Sequence, residues 1–386
     1  MKQIRVAIIG QGRSGADIHA KYLVIAPEQY KIVAIADPIA VRRERAKKVY
    51  NYGDDCRLYA DYRDIFKHKD IDVIINASLS HMHPKITKEI MEKGFNVVCE
   101  KPLARYAKEV DELIATAKRT KKVFAIFQQS RYAPYFRKVK EVVDSGILGR
   151  PVKIKIAFSN FGRRWDWQTF DAFYAGNLLN TGPHPLDQAL RFLDYKGMPE
   201  VVCHMDSANA LGGAEDFVQL VMKAPGRPVI EVEISSCHPY SGFTYEVQAV
   251  NGGLKGSMTH LDWKYFNPAE APKQTFSKDP ITGPDGTPLY CTEQLPWKEA
   301  SWDVPQDQAD LFKAISGGFY NMLYRTLTEG SPLEITPEQV RQQIMIIEEC
   351  HRQKEARRAG KTPKAAAAKP TVKTKKTKSV SKKKKR

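Results

Sequence analysis

The first 130 residues alternate short apolar runs with helical patterns, and nothing else in the chain restricts its fold as much. Arg5–Ile9, Ile32–Ala36, Val73–Ala77, Val97–Cys99 and Val123–Phe127 are brief, continuous and β-branched, like strands buried on both faces. Between them, Ser14–Ile25, Ala40–Tyr50, Pro84–Lys93 and Ala107–Lys121 carry helical spacing. The third of these ends in Lys93-Gly94, a basic last turn and a terminating glycine. Strand–helix–strand order predicts an α/β fold, a doubly wound parallel sheet over residues 1–130.

After residue 130 the period changes. Tyr135–Ser145 reads as one more helix, stopped near Gly146 and Gly149. Val152–Ile156 then alternates with period two, and similar runs follow at Glu200–His204, Phe217–Met222, Val229–Ile234 and Tyr245–Val250, with a turn at Asn251–Gly253. These predict a second, α+β unit over residues 131–355, built on a large, mainly antiparallel sheet. Residues 266–306, rich in Pro, Gly and polar side chains, are expected to be mostly loop. Thr336-Pro337-Glu338 opens a helix to about His351.

The formal charge of +17 is informative only once it is located. Residues 361–386 hold eleven Lys and one Arg with no acid, whereas the other 360 carry 49 basic and 44 acidic groups. The balanced body argues against a basic nucleic-acid-binding surface. Residues 356–386 are expected to be a disordered Lys-rich tail, either an idle solubilising extension or a weak, nonspecific binder of polyanions. No apolar run approaches the roughly 20 residues of a membrane span. The first strand begins almost at Met1, which leaves no room for a secretory leader. Six cysteines show neither CxxC pairs nor zinc spacing, so reduced thiols, a cytoplasmic location and no metal are expected.

Gly10-Gln11-Gly12-Arg13-Ser14-Gly15 directly follows the first strand and opens a helix. In a dinucleotide fingerprint the first glycine permits the tight turn and the second lets backbone approach a pyrophosphate. The third lets helix pack on strand. Asp37 ends the second strand at the spacing of a ribose contact. A carboxylate there accepts ribose hydroxyls and repels a 2′-phosphate, which favours NAD over NADP. Arg42 and Arg43 follow closely and are expected as surface charge on a helix.

Two further segments carry chemistry. Glu100-Lys101-Pro102 lies at the carboxyl end of the fourth run, the edge where open α/β sheets bind ligands. Desolvation of Lys101 there would bring its amine toward an acid/base range. Asn180–Asp187 reads as the start of a helix with Pro185 at its first position. His184 then stands at the positive mouth, where the helix dipole disfavours imidazolium, and Asp187 is placed to approach it.

The fingerprint, Asp37, Glu-Lys-Pro at 100–102 and GxHxxD at 182–187, in this order, resemble the Gfo/Idh/MocA family of oxidoreductases over about residues 1–352. His83, Gly94–Val98 and Gly146–Gly149 are lesser matches. The resemblance implies a Rossmann domain joined to an antiparallel-sheet domain, with the active site in the cleft between. It implies a catalytic set of Lys101, His184, Asn180 and Asp187. The cofactor would be held by Gly10, Gly12, Arg13, Ser14, Gly15, Asp37, Ser78, His83, Glu100 and Lys101. It further implies a carbohydrate-like substrate and a homodimer or homotetramer formed through the second sheet.

The sequence departs from the family at Asn180, where many members have Asp, and at Ser78-Leu79-Ser80, where Thr/Ser-Pro-Asn is common. An amide cannot take a proton, so Asn180 is left to position a substrate oxygen. The loop Gly162–Trp167 is expected over the cleft, with Arg163, Arg164 and Trp165 joining Asn180 and His184 on the substrate. Three outcomes stay open: net dehydrogenation or reduction, redox-neutral glycoside cleavage through transient oxidation, and a non-catalytic nucleotide-responsive regulator.

Overall fold

The computed structural model describes residues 2–50, 52–53, 55–240 and 242–362. The N-terminal strands are β1 (Ile4–Ile9), β2 (Tyr30–Ala36), β3 (Arg57–Tyr59), β4 (Val73–Asn76), β5 (Asn96–Cys99) and β6 (Phe124–Ile126). They form one parallel sheet in the order β3-β2-β1-β4-β5-β6. The strand order reverses between β1 and β4, so a crevice opens at their carboxyl ends. Every residue of β1 except Arg5 is buried, which is why these strands read as unbroken apolar runs.

Helices α1 (Lys21–Leu23), α2 (Ala40–Tyr50), α3 (His83–Glu92) and α4 (Ala107–Thr120) connect these strands. The helix expected over 14–25 is α-helical only at its two ends, at 13–14 and 21–23. Gly15–Ala20 winds as a wider π-turn, and that turn carries the fully buried His19. The short edge strand β3 was not expected, because none of its residues is fully buried and it has no apolar run of its own.

After α5 (Pro134–Asp144) come β7 (Pro151–Ser159), α6 (Asn177–Asn180), α7 (Pro183–Leu193), β8 (Glu200–Asp206), β9 (Phe217–Lys223) and β10 (Val229–Ser235). Strands β11 (Tyr245–Ala249), β12 (Gly252–Gly256), β13 (His260–Tyr265) and β14 (Lys298–Asp303) complete an eight-stranded sheet, β14-β13-β12-β11-β7-β10-β9-β8. Only β7 and β10 pair in parallel. Ile154, Ile156, Leu220 and Val232 lie fully buried on one face, while Lys155 meets Glu233 on the other at 3.4 Å. Residues 266–306 are mostly loop as expected, and β14 is the exception: its mostly exposed residues become a strand by pairing with β13.

Helices α8 (Leu311–Glu329) and α9 (Pro337–Arg358) end the described chain. α9 extends past the expected His351 and takes in residues assigned to the tail; 363–386 lie outside the described residues. α8 packs on the turn at 129–132 and on α1, and α9 packs on α4, β6, α7 and β8. The units expected over 1–130 and 131–355 are therefore tied by shared C-terminal helices. Among the described residues no helix is long and apolar enough to cross a membrane.

Candidate active site

The glycine turn is shaped for a close ligand. Gly10 adopts φ +91°, and a Cβ there would lie 2.3 Å from the Ala77 carbonyl oxygen. A Cβ on Gly15 would lie 1.8 Å from the Gly10 carbonyl oxygen, so this glycine closes the turn onto itself as well as onto the strand. At Gly12 a Cβ would meet only Arg42 Nη1, at 3.9 Å, so its α-carbon faces open space. That space is a cavity of about 810 Å³ lined by Gly10, Gly12, Arg13, Ser14, Asp37 and Ser78 among others. A nicotinamide dinucleotide fits this turn, and the bare backbone at Gly12 would hold its pyrophosphate.

Asp37 is buried and held from both sides. Oδ2 accepts the Gln11 N–H and Oδ1 the Ile39 N–H, each at 2.8 Å. Arg42 is exposed on α2 and Arg43 partly so, as surface charges would be, yet both reach back to Asp37. Arg42 lines the cavity with Nη1 3.6 Å from Asp37 Oδ2, and Arg43 Nη1 donates to the Asp37 carbonyl.

A second cavity, of about 500 Å³, adjoins the first, and Arg164, Asp166 and Gln168 line both. Its polar lining includes Asn177, whose Nδ2 donates to the Asp216 carbonyl (2.7 Å) and to Ser236 Oγ (2.9 Å). Arg163 and Asn180 also line it. Arg164 Nε and Nη2 grip Asp166 at 2.7 and 2.9 Å, so this guanidinium is already paired. Trp165 stands at the rim, 87% exposed, rather than over the cavity as a platform.

Lys101 Nζ donates to the main-chain carbonyl of Asn180 at 2.8 Å. Burial pushes this amine below the usual lysine range; Glu100 opposes the shift, and Arg13 and Arg164 add to it. Asn180 Oδ1 accepts from Gln168 Nε2 at 3.2 Å, which leaves the Asn180 amide N–H groups to donate. The helix carrying His184 begins at Pro183, not Pro185, so His184 is its second residue. Burial and the neighbouring Lys101 push its imidazole down to about 3, with Glu100 opposing. Its buried Nδ1 has no protein partner.

Three expected residues do other work. Asp187 does not turn to His184: its carboxylate takes Arg131, through Nε at 2.9 Å and through Nη2. Glu100 is buried and lies off both cavities, its Oε2 accepting the Lys101 main-chain N–H at 2.9 Å. His83 is also buried, its ring nitrogens 2.7 Å from the Pro102 carbonyl and 3.0 Å from that of Ser78. It braces the cavity wall instead of lining it. Lys101 and His184 themselves line neither cavity; the bond from Lys101 to Asn180 ties the lysine to the second.

Residues 4–128 match the model described as an oxidoreductase family with an NAD-binding Rossmann fold, and residues 136–255 match the GFO/IDH/MocA C-terminal domain. The chain belongs to the Gfo/Idh/MocA family of oxidoreductases. An uncharacterized oxidoreductase of Schizosaccharomyces pombe is 24% identical over 317 residues, 80% of this chain and 82% of that protein. An inositol 2-dehydrogenase of Salmonella typhimurium is 28% identical over 172 residues, 44% of this chain and 50% of that one. The WlbA dehydrogenase of Bordetella pertussis, solved with NADH and UDP-GlcNAcA, has the same fold. Its TM-score is 0.73 at 16% identity, over 92% of this chain and 96% of that one.

In this Gfo/Idh/MocA protein, then, the cavity at the glycine turn belongs to an NAD-binding Rossmann domain. Trp167, at the end of the loop expected over the cleft, lines that cavity, whereas sequence reasoning missed Asp61 there and Gln168 where it meets the second. No motif marks these two; each arrives through tertiary placement of a loop.

Proposed function

We propose that the protein oxidises a secondary hydroxyl of a sugar, cyclitol or glycoside, or reduces the matching ketone, with NAD(H) as hydride partner. One observation carries the reading: a small polar cavity adjoins the dinucleotide cavity and is tied through Asn180 to Lys101. The names of the relatives, inositol 2-dehydrogenase and a dehydrogenase bound to UDP-GlcNAcA, support a hydroxyl-rich ring.

The bound nicotinamide supplies hydride chemistry. The Asn180 amide donates to a substrate oxygen, and Asn177 and Arg163 offer further polar contacts. His184 is neutral at neutral pH, so its imidazole can accept a hydrogen bond from the reacting hydroxyl. Lys101 takes the proton as an amine or steadies the developing alkoxide as an ammonium. The test is a screen of sugars, cyclitols and glycosides for NADH fluorescence, with products identified by NMR. NADH formation with a ketone product supports the reading. Cleaved glycoside without net NADH selects the redox-neutral reaction, and no turnover on any class overturns both.

NAD(H) is proposed over NADP(H) because a 2′-phosphate would meet the fixed Asp37 carboxylate, while Arg42 is already drawn to that acid. Calorimetric titration of Asp37→Ser is expected to show NADPH binding improved by about tenfold or more, since like-charge contact costs several kcal/mol. Tighter NADPH binding by the native chain would transfer control to Arg42. The reading includes self-association through the second sheet, where β11–β14 with Phe266 and Trp297 line a third hollow of about 960 Å³. Sedimentation as a monomer at micromolar concentration would remove that part.

A further inference from the structure

His19, Glu100 and Tyr320 form a buried polar chain that this proton transfer does not call on. His19 comes from the π-turn, Glu100 from the end of β5, and Tyr320 from α8. All three are buried, His19 and Tyr320 completely. The Tyr320 hydroxyl lies 2.7 Å from His19 Nδ1. On the far side of the ring, Nε2 lies 3.1 Å from Glu100 Oε1, at ion-pair distance though off the line of a hydrogen bond.

A neutral imidazole carries one N–H. A lone pair on Nε2 would lie 3.1 Å from a carboxylate oxygen and be repelled, so we assign the proton to Nε2 and the Tyr320 hydroxyl as donor to Nδ1. Polarity thus runs from hydroxyl through ring to carboxylate. The phenol is clamped in turn: Tyr22 stacks on it with centroids 5.1 Å apart, and the Tyr30 hydroxyl donates to its carbonyl at 2.6 Å.

An isolated buried carboxylate would take up a proton. Burial does push Glu100 up, yet His19, Lys101 and His83 together draw it down to about 2. Cys99, His184 and Tyr320 also feel its charge. Around Lys101, burial, Arg13 and Arg164 favour the neutral amine, and Glu100 alone favours the ammonium. His83 and His184 are its other titratable neighbours.

The geometry points to His19 and Tyr320 as positioning residues that keep Glu100 charged beside Lys101, and that charge keeps the lysine in its proton-carrying form. The inference rests on the reading of Lys101 as proton carrier only for its catalytic consequence; the titration itself belongs to the cofactor-free chain. It is measured by competitive acetylation of the full chain with acetic anhydride across a pH series, the Lys101 peptide being read by mass spectrometry.

Glu100→Gln is expected to lower the pH at which Lys101 becomes reactive by about one to three units, the usual effect of an opposite charge nearby. His19→Leu shifts it the same way, because Glu100 then takes up a proton. His19→Gln, whose amide nitrogen replaces Nε2, restores the native profile. Tyr320→Phe keeps the ring stack, removes the hydroxyl and gives a smaller shift of the same sign. Native-like profiles for His19→Leu and Tyr320→Phe would make both residues merely structural and overturn the proposal, as would an unmoved profile in Glu100→Gln. Should His19→Leu fail to fold, Tyr320→Phe and Glu100→Gln decide. Absent turnover on every sugar, with these shifts present, would sink the functional reading and leave this one standing.

Discussion

Lys101→Ala and His184→Ala each lower turnover by about 10²–10⁴-fold, the range that a placed proton-transfer group contributes. Both variants are expected to keep their affinity for NADH in a calorimetric titration, because the glycine turn and Asp37 are untouched. The loss should fall on kcat rather than on cofactor binding. Removing Lys101 also frees the Asn180 carbonyl it holds at 2.8 Å, so its effect is expected to be the larger. Asn180→Asp is the informative companion. A carboxylate there adds negative charge near an amine that burial pushes down, so Lys101 holds its proton longer and the pH–rate profile moves upward. Activity within twofold of native in either alanine variant would remove that residue from the mechanism.

Asp187→Ala is expected to destabilise the fold by about 3–5 kcal/mol, the cost of breaking a buried ion pair from one side. The Arg131 guanidinium also donates to the Glu334 carbonyl at 3.1 Å and to Gln339 Oε1 at 2.6 Å. It therefore joins the 129–132 turn, α7 and the start of α9. Arg191 lies close by, its Nε buried without a partner, and Asp187 is among the acids that offset its charge. Without Asp187 these two half-buried cations lose an acid that offsets both. A urea titration followed by circular dichroism should show the midpoint fall. Turnover per folded molecule should drop far less than in the Lys101 and His184 variants. Native stability with a collapsed kcat would return Asp187 to the catalytic set.

The parallel sheet was legible because a strand covered on both faces must be apolar throughout, and β1, β2, β4 and β5 are nearly so. The glycine turn was legible for a backbone reason: φ +91° at Gly10 and the missing Cβ at Gly12 leave few alternatives. α8 went unread, and Gly317-Gly318 explains why. In isolation a glycine pair argues against a helix. In the fold, a Cβ on Gly318 would lie 2.5 Å from the Tyr132 ring, so the pair exists to let α8 approach the 129–132 turn. The π-turn, β3 and β14 were likewise hidden, since their conformation comes from neighbours rather than from their own residues.

At the site, residue types and order identified Lys101, His184 and Asn180, because a motif records which side chains a reaction needs. Direction was decided elsewhere. Spacing placed Asp187 three residues from His184, yet Arg131, 56 residues earlier in the chain, takes its carboxylate. Glu100 and Lys101 are adjacent in sequence and part ways in space, the acid turning inward to His19 and the amine toward Asn180. A local pattern sets which face of an element a residue occupies. Which charge it meets there depends on segments distant in the chain, and in a dry interior that meeting governs whether the group is ionised at all.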